Sequence, residues 1–290
     1  MRLLIAFQNM NGLGGSECFH HELIQGLSQY KDLDITVATL TKPNLDFHLW
    51  KDILKLGVDI TSLEELIHNP KKIDLIITSQ PQPTSILCNY SYTNTPKISI
   101  IHSILRSEEP IKHDSIKQYI AVQIDIKKGL KRFHNIESEL IYNPVDPIRF
   151  NENIHGKPNY SFTRGVFVGE ANDPLRFPML NHLVQNCKQN GWYLDVISRG
   201  KVDFNTDLVN YIEPTYNTEE YLKNADFAAG LRGRVAIESY MCGVPFYAYD
   251  VDSTGRILKV ELVDYMKTRR FKRDYVCSQY YNLIKEYESK

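Results

Sequence analysis

Short apolar runs alternate along the chain with longer stretches whose apolar positions recur every three to four residues. This is the pattern of parallel strands joined by helices. Leu3 to Phe7 predicts a buried first strand. The Gly-rich turn Asn11-Gly12-Leu13-Gly14-Gly15 follows, then a helix from about Ser16 to Tyr30 with Phe19, Leu23, Ile24 and Leu27 at helical spacing. Further strands are expected from Ile35 to Thr39, Leu75 to Thr78, Ile98 to Ile101, Tyr119 to Val122 and Leu140 to Tyr142, with a basic helix around Lys127 to Phe133. Residues 151–160 mix Asn, Gly, Pro and His without periodicity, which predicts a linker.

The alternation then restarts. Strands are expected from Gly165 to Val168, Tyr193 to Ile197, Phe227 to Ala229 and Phe246 to Ala248. Helices are expected from Pro178 to Gln189, Glu219 to Lys223 and Val235 to Met241. From Asp274 to Tyr287, the positions Val276, Tyr280, Leu283 and Tyr287 share one helical face. The reading is therefore an α/β chain of two Rossmann-like domains, 1–155 and 156–270. A C-terminal helix over 271–290 can pack back on the first domain. Two such domains facing across a cleft bind ligands at the carboxyl ends of their strands.

Composition narrows the classes. The chain has 290 residues, 42% hydrophobic and 24% charged, ordinary for a folded protein. Thirty-four Lys and Arg against 35 Asp and Glu give a net charge of −1, so any nucleic-acid contact must be local. The five cysteines, Cys18, Cys88, Cys187, Cys242 and Cys277, lie far apart with no C-x-x-C pair and read as thiols of a reducing compartment. The first apolar run stops at Gln8-Asn9, too short for a signal peptide, and no run approaches the about 18 apolar residues of a membrane span. A cytoplasmic protein without a transmembrane segment is the expectation; the oligomeric state is not legible.

Two strand-to-helix turns carry candidate chemistry. Around Gly14 and Gly15, glycines let backbone N–H groups approach an anion at a helix start. The spacing is neither G-x-G-x-x-G nor a P-loop, and a plain tight turn is the alternative reading. In the second half, Gly230-Leu231-Arg232-Gly233-Arg234 leads from a strand into a helix that Gly243 ends before Pro245. Arg232 and Arg234 beside free helix-start N–H groups suit a diphosphate. Glu238, expected in the helix's first turn, could accept hydrogen bonds from a ribose diol, or simply complement the helix dipole. His20-His21-Glu22 lacks the second histidine of a zincin helix, so no metal site is expected. The run Lys267 to Arg273 holds Lys267, Arg269, Arg270, Lys272 and Arg273, which form either a solvated face or a grip for phosphates.

These segments together resemble the family-4 glycosyltransferases, of the GT-B fold. Gly14-Gly15-Ser16-Glu17 resembles their G-G-x-E turn. Ile141-Tyr142-Asn143-Pro144-Val145-Asp146 with Phe150 resembles the I-x-N-G-V-D…F segment closing their first domain. Val166-Phe167-Val168-Gly169 resembles the strand opening their second, Tyr221 to Asp226 resembles Y-x-x-A-D, and Ile237 to Pro245 resembles E-A-M-A-C-G-x-P. The matches run in the family's order over roughly residues 3 to 250.

The resemblance implies a retaining glycosyltransferase that takes a UDP- or GDP-sugar as donor, with no tightly bound cofactor and no metal requirement. Residues 1–155 would be the acceptor side and 156–270 the nucleotide-sugar side. Gly15 would set its N–H against the distal phosphate, Glu238 would hold the ribose, and His102, ending a strand, would contact the transferred sugar. Arg176 is the nearest cation to the family's phosphate-binding lysine. The chain departs from the pattern at Glu170, where the family has Arg, and at Gly230, eight residues before Glu238, where it has a first glutamate. The acceptor would be a glycan or lipid. Two alternatives remain open: modified DNA gripped by Lys267, Arg269, Arg270 and Arg273, and a sugar-nucleotide-binding protein without turnover.

Overall fold

The computed structural model describes residues 1–103, 110–151, 163–251, 256–263 and 268–288. The chain forms two compact units, one of Met1–Pro144 with Arg270–Lys290, the other of Val145–Arg269.

The first unit is a seven-stranded parallel sheet of order β3-β2-β1-β4-β5-β6-β7. Its strands are β1 (Arg2–Phe7), β2 (Asp34–Thr39), β3 (Asp59–Ser62), β4 (Leu75–Ser79), β5 (Lys97–Ile101), β6 (Ile116–Ala121) and β7 (Glu139–Leu140). Leu3, Leu4, Ile5, Ala6 and Phe7 are fully buried, as a central parallel strand covered on both faces requires. The helices are α1 (Gly15–Leu27), α2 (His48–Leu54), α3 (Leu63–His68), α4 (Pro81–Asn89) and α5 (Ile124–His134).

The C-terminal helix α9 (Arg273–Glu288) also belongs to this unit and packs on α1. Arg273 Nη1 donates to Glu22 Oε2 at 3.2 Å and to Gln25 Oε1 at 2.7 Å. Tyr281 stacks on Tyr30 with ring centroids 3.8 Å apart. A Cβ on Gly26 would collide with Cys277 Sγ, so the helices touch where α1 has no side chain. This cover explains why α1 buries Glu22, on the side away from its apolar stripe.

The second unit is a six-stranded sheet of order β10-β9-β8-β11-β12-β13, parallel except for the last pair. Its strands are β8 (Arg164–Val168), β9 (Tyr193–Ile197), β10 (Val209–Ile212), β11 (Phe227–Gly230), β12 (Phe246–Val251) and β13 (Ile257–Val263). Its helices are α6 (Phe177–Asn190), α7 (Thr218–Lys223) and α8 (Arg234–Met241). Phe167, Met179, Leu180, Leu183, Val196 and Tyr249 close the core between α6 and the sheet.

The units divide at Pro144 and Val145 rather than at 155 and 156. The reason is local. Arg149 lies 3.7 Å over the Tyr216 ring, and its Nη2 pairs with Glu219 Oε2 at 2.7 Å, so this segment is already anchored in the second unit. Most of the expected linker, residues 152–160, lies outside the described residues. The five cysteines are free thiols. Among the described residues, no helix is long and apolar enough to cross a membrane.

Candidate functional site

Each sheet reverses its strand order once, and such a switch point opens a crevice at the strands' carboxyl ends. In the second unit the reversal lies between β8 and β11, because β9 and β10 extend one side while β12 and β13 extend the other. Of the predicted donor-side residues, Arg176 follows β8, while Arg232, Arg234 and Glu238 follow β11. Gly169 follows β8, and a Cβ there would sit 3.2 Å from Arg176 Cδ, so the Arg176 side chain lies directly across it. Arg176 is the N-cap residue of α6, held by Asp173 through Nη1 to Oδ2 at 3.0 Å.

Beyond β11, Gly233 caps α8 and Arg234 is its first residue. Arg234 Nε donates to Glu238 Oε1 at 2.6 Å, with side-chain exposures of 6% and 7%. Because α8 starts at Arg234, Glu238 lies in the second turn, and its carboxylate is oriented by Arg234 rather than by the helix start. A glycine cap leaves the first-turn N–H groups to other acceptors. Gly243, at φ 72°, takes the left-handed conformation that ends α8. Arg232, about one-third exposed, pairs with Glu261 and lies 3.6 Å from Asp250. Gly230 ends β11, and a Cβ there would meet only Phe246 Cζ at 3.6 Å, an ordinary contact. Arg199, which the sequence does not single out, lies 3.8 Å from Glu170. It brings a cation beside the acidic residue that stands where the resemblance calls for arginine.

In the first unit the reversal lies between β1 and β4. Gly14 is the N-cap of α1 and Gly15 its first residue. The Glu17 carboxylate folds back over Gly14, where a Cβ would collide with it. His20, fully buried, stacks on Phe7 with centroids 4.1 Å apart. Its Nδ1 lies 2.7 Å from the Ser16 carbonyl, which can only accept, so Nδ1 carries the proton. Nε2 therefore accepts from the Ser79 hydroxyl at 2.7 Å. Burial, and secondarily the neighbouring His102, push the His20 pKa well below the usual imidazole value.

Gln80, between β4 and α4, has φ 69° and ψ 147°, a strained conformation for a residue with a side chain. It accepts from Gln8 N at 2.6 Å and donates to Ser16 Oγ at 3.3 Å, tying β1, β4 and α1 together. Neither His20, Ser79 nor Gln80 carries a sequence signal beyond type. His102 follows β5 and meets Phe19 edge-on at 4.7 Å and His20 at 5.7 Å.

The basic stretch is dispersed. Arg273 is bound into the α1–α9 packing, and Arg270 stacks over Tyr142 at 5.0 Å and Phe271 at 5.1 Å. Lys267 and the Arg269 side chain lie outside the described residues. Among the described residues, no group of three His, Cys, Asp or Glu side chains could hold a metal ion.

No family model matches the chain, and no curated protein matches it in sequence. Its fold matches solved structures. A glycosyltransferase from Rickettsia africae ESF-5 aligns with a TM-score of 0.61 at 10% identity, over 84% of this chain and 78% of that one. TarM aligns at 0.61 and 11% identity over 99% of this chain and 96% of its own. A UDP-N-acetylglucosamine 2-epimerase aligns at 0.51 and 12% identity over 88% and 80%. The architecture is GT-B, two Rossmann-like domains in one chain.

Proposed function

We propose that the protein is a nucleotide-sugar-dependent glycosyltransferase that moves a sugar, with retention of configuration, to a hydroxyl of a glycan or lipid. The observation that carries this reading is the arrangement at the β8–β11 switch point, where Arg176 crosses Gly169 and the buried Glu238 is aimed by Arg234. A carboxylate and a guanidinium flanking a glycine-capped helix suit the ribose and diphosphate of a UDP- or GDP-sugar. The fold is shared with a glycosyltransferase and with an epimerase whose name carries a UDP-sugar.

In this reading Glu238 accepts from the ribose hydroxyls. Arg176 and the N–H groups at the start of α8 receive charge as the glycosidic bond breaks and the diphosphate departs, as fixed donors do most effectively at developing charge. Arg232 and Arg234 back this site, the latter through Glu238. In this reading Gly14, Gly15 and His102 are the first unit's candidates, Gly15 offering its N–H to a phosphate and His102 its ring to a sugar. Transfer from a panel of UDP- and GDP-sugars to glycan and lipid acceptors, followed by the anomeric configuration of the product, tests the proposal. No transfer with any donor, alongside tight nucleotide binding, overturns it.

Gly230 favours a second reading, a sugar-nucleotide-binding protein without turnover. Its backbone would accept a side chain, so glycine there is not imposed by space. Of the four cations the modified-DNA alternative would use, Arg270 stacks on Tyr142 and Arg273 is bonded to Glu22 and Gln25.

A further inference from the structure

The last strand of the second sheet touches the candidate donor residues only through Glu261, which pairs with Arg232. β13 lies at the sheet's end, antiparallel to β12, after five parallel strands. Its register pairs Tyr247 with Leu262, Ala248 with Glu261, Tyr249 with Val260 and Asp250 with Lys259. Tyr247 and Tyr249 face the core beneath α6, so Val260 and Leu262 share that face while Lys259 and Glu261 share the other. Yet Leu258, Val260 and Leu262 are 58%, 39% and 57% exposed. Sheets ordinarily guard an edge of this kind, because an open apolar edge is a template for another strand.

We propose that β13 pairs with β13 of a second copy, joining two six-stranded sheets across a two-fold axis at Val260. The argument is charge register. In an antiparallel pair centred on Val260, Val260 faces its own copy and its two neighbours face one another's chain. Lys259 then stands opposite the facing Glu261 on both sides of the axis, adding to the pairs that Glu261 makes with Arg232 and Lys259 in its own chain. Moving the centre by one residue sets Lys259 against Lys259 or Glu261 against Glu261, and like charges directly opposite repel. An odd shift in pairing would set apolar against charged faces. The irregularity in the β12–β13 ladder falls between Lys259 and Ile257, leaving 259–263 regular for pairing. A closed two-fold contact also consumes both edges, so assembly stops at a dimer.

A strand-edge contact of this length falls below the ~1,200 Å² of standard interfaces, so the dimer should dissociate at micromolar concentrations. Sedimentation velocity of the full chain from micromolar to high concentration tests it. The wild type should move from 33.6 kDa to twice that mass. Lys259→Glu and Glu261→Lys should each weaken self-association at least about tenfold, since both symmetry-related pairs become repulsive. An equimolar mixture of the two should recover a dimer, because one chain then carries acids at both positions and the other carries bases at both, so each facing pair is again of opposite sign. Val260→Glu, at an exposed position that folding tolerates, should also give monomers. A wild type monomeric at every concentration overturns the proposal, as do variants that dimerise like the wild type or mixed variants that stay apart.

Discussion

Arg234 Nε lies 2.6 Å from Glu238 Oε1 across one turn of α8, and both side chains are more than nine-tenths buried. Removing one member of such a pair strands the other's charge, at a cost of about 3–5 kcal/mol. Glu238→Ala and Arg234→Ala should both lower the melting temperature, and both should weaken nucleoside diphosphate binding by about 1.5–3 kcal/mol in calorimetry. Their effects should not add in the double variant, because each acts through the other. Full nucleotide affinity in folded Glu238→Ala removes this residue from the site.

Arg176 offers the opposite balance of stability and activity. Its pair with Asp173 is about one-third exposed, so losing it costs at most ~1 kcal/mol of stability. Turnover in Arg176→Ala should nevertheless fall by about 10²–10³, the scale for a fixed donor at developing charge. Gly169→Ala should fall between, because its Cβ would push on Arg176 Cδ at 3.2 Å. Steady-state kinetics beside thermal melting separates the two effects; unchanged turnover in Arg176→Ala counts against the role.

Gly230 tests the silent reading directly. Gly230→Ala should leave stability within about 0.5 kcal/mol, since its Cβ makes only an ordinary contact. If the missing glutamate is what withholds turnover, Gly230→Glu should produce transfer where the wild type has none. In an active wild type, the same change should alter the ranking of donors instead.

His20 predicts a pH dependence of stability. Its folded pKa lies well below the ordinary imidazole value, so the unfolded chain binds the proton first. The stability it contributes is complete above pH ~6.5 and declines as pH falls toward the folded value, by at most about 1.36 kcal/mol per pH unit for one proton. Urea titrations between pH 7 and 5 should show that slope, and His20→Gln should flatten it. An equal slope in the variant places the titrating group elsewhere.

The contact between Gly26 and Cys277 sets a packing limit. Gly26→Ala should destabilise by about 1–3 kcal/mol, the usual cost of overfilling a packed core. Cys277→Ala in the same chain should recover part of it, as a double-variant cycle in urea would show. Independent, additive costs would mean the two helices do not press at this point.

Much of the fold is legible in the chain because parallel strands covered on both faces must be continuous apolar runs. Leu3–Phe7 and Ile98–Ile101 could hardly be anything else. The Gly233–Glu238 and Gly14–Glu17 turns are legible for a similar reason: glycine beside charge at a strand end has few structural uses. What escapes is what distant segments impose. His20, His21 and Glu22 look like the polar face of α1 and are buried only because α9, β4 and α2 cover them. Gln80 combines a positive φ with side-chain bonds to Gln8 and Ser16, far away in sequence. β13 does have a signal, since Ile257–Val263 interleaves Lys259 and Glu261 among apolar residues. A reading that expects parallel strands and helices has no place for it.

Vectorial synthesis meets an obstacle in the return of α9 to α1. The first unit has its seven strands once Pro144 leaves the ribosome, but its covering helix begins at Arg273, after the second unit has been made. At ~5–20 residues per second the interval is on the order of ten seconds. Throughout it, Glu22 awaits Arg273 and the bare face at Gly26 awaits Cys277. The nascent chain thus carries an unfinished domain past a complete one, with the face of α1 that α9 later covers still open.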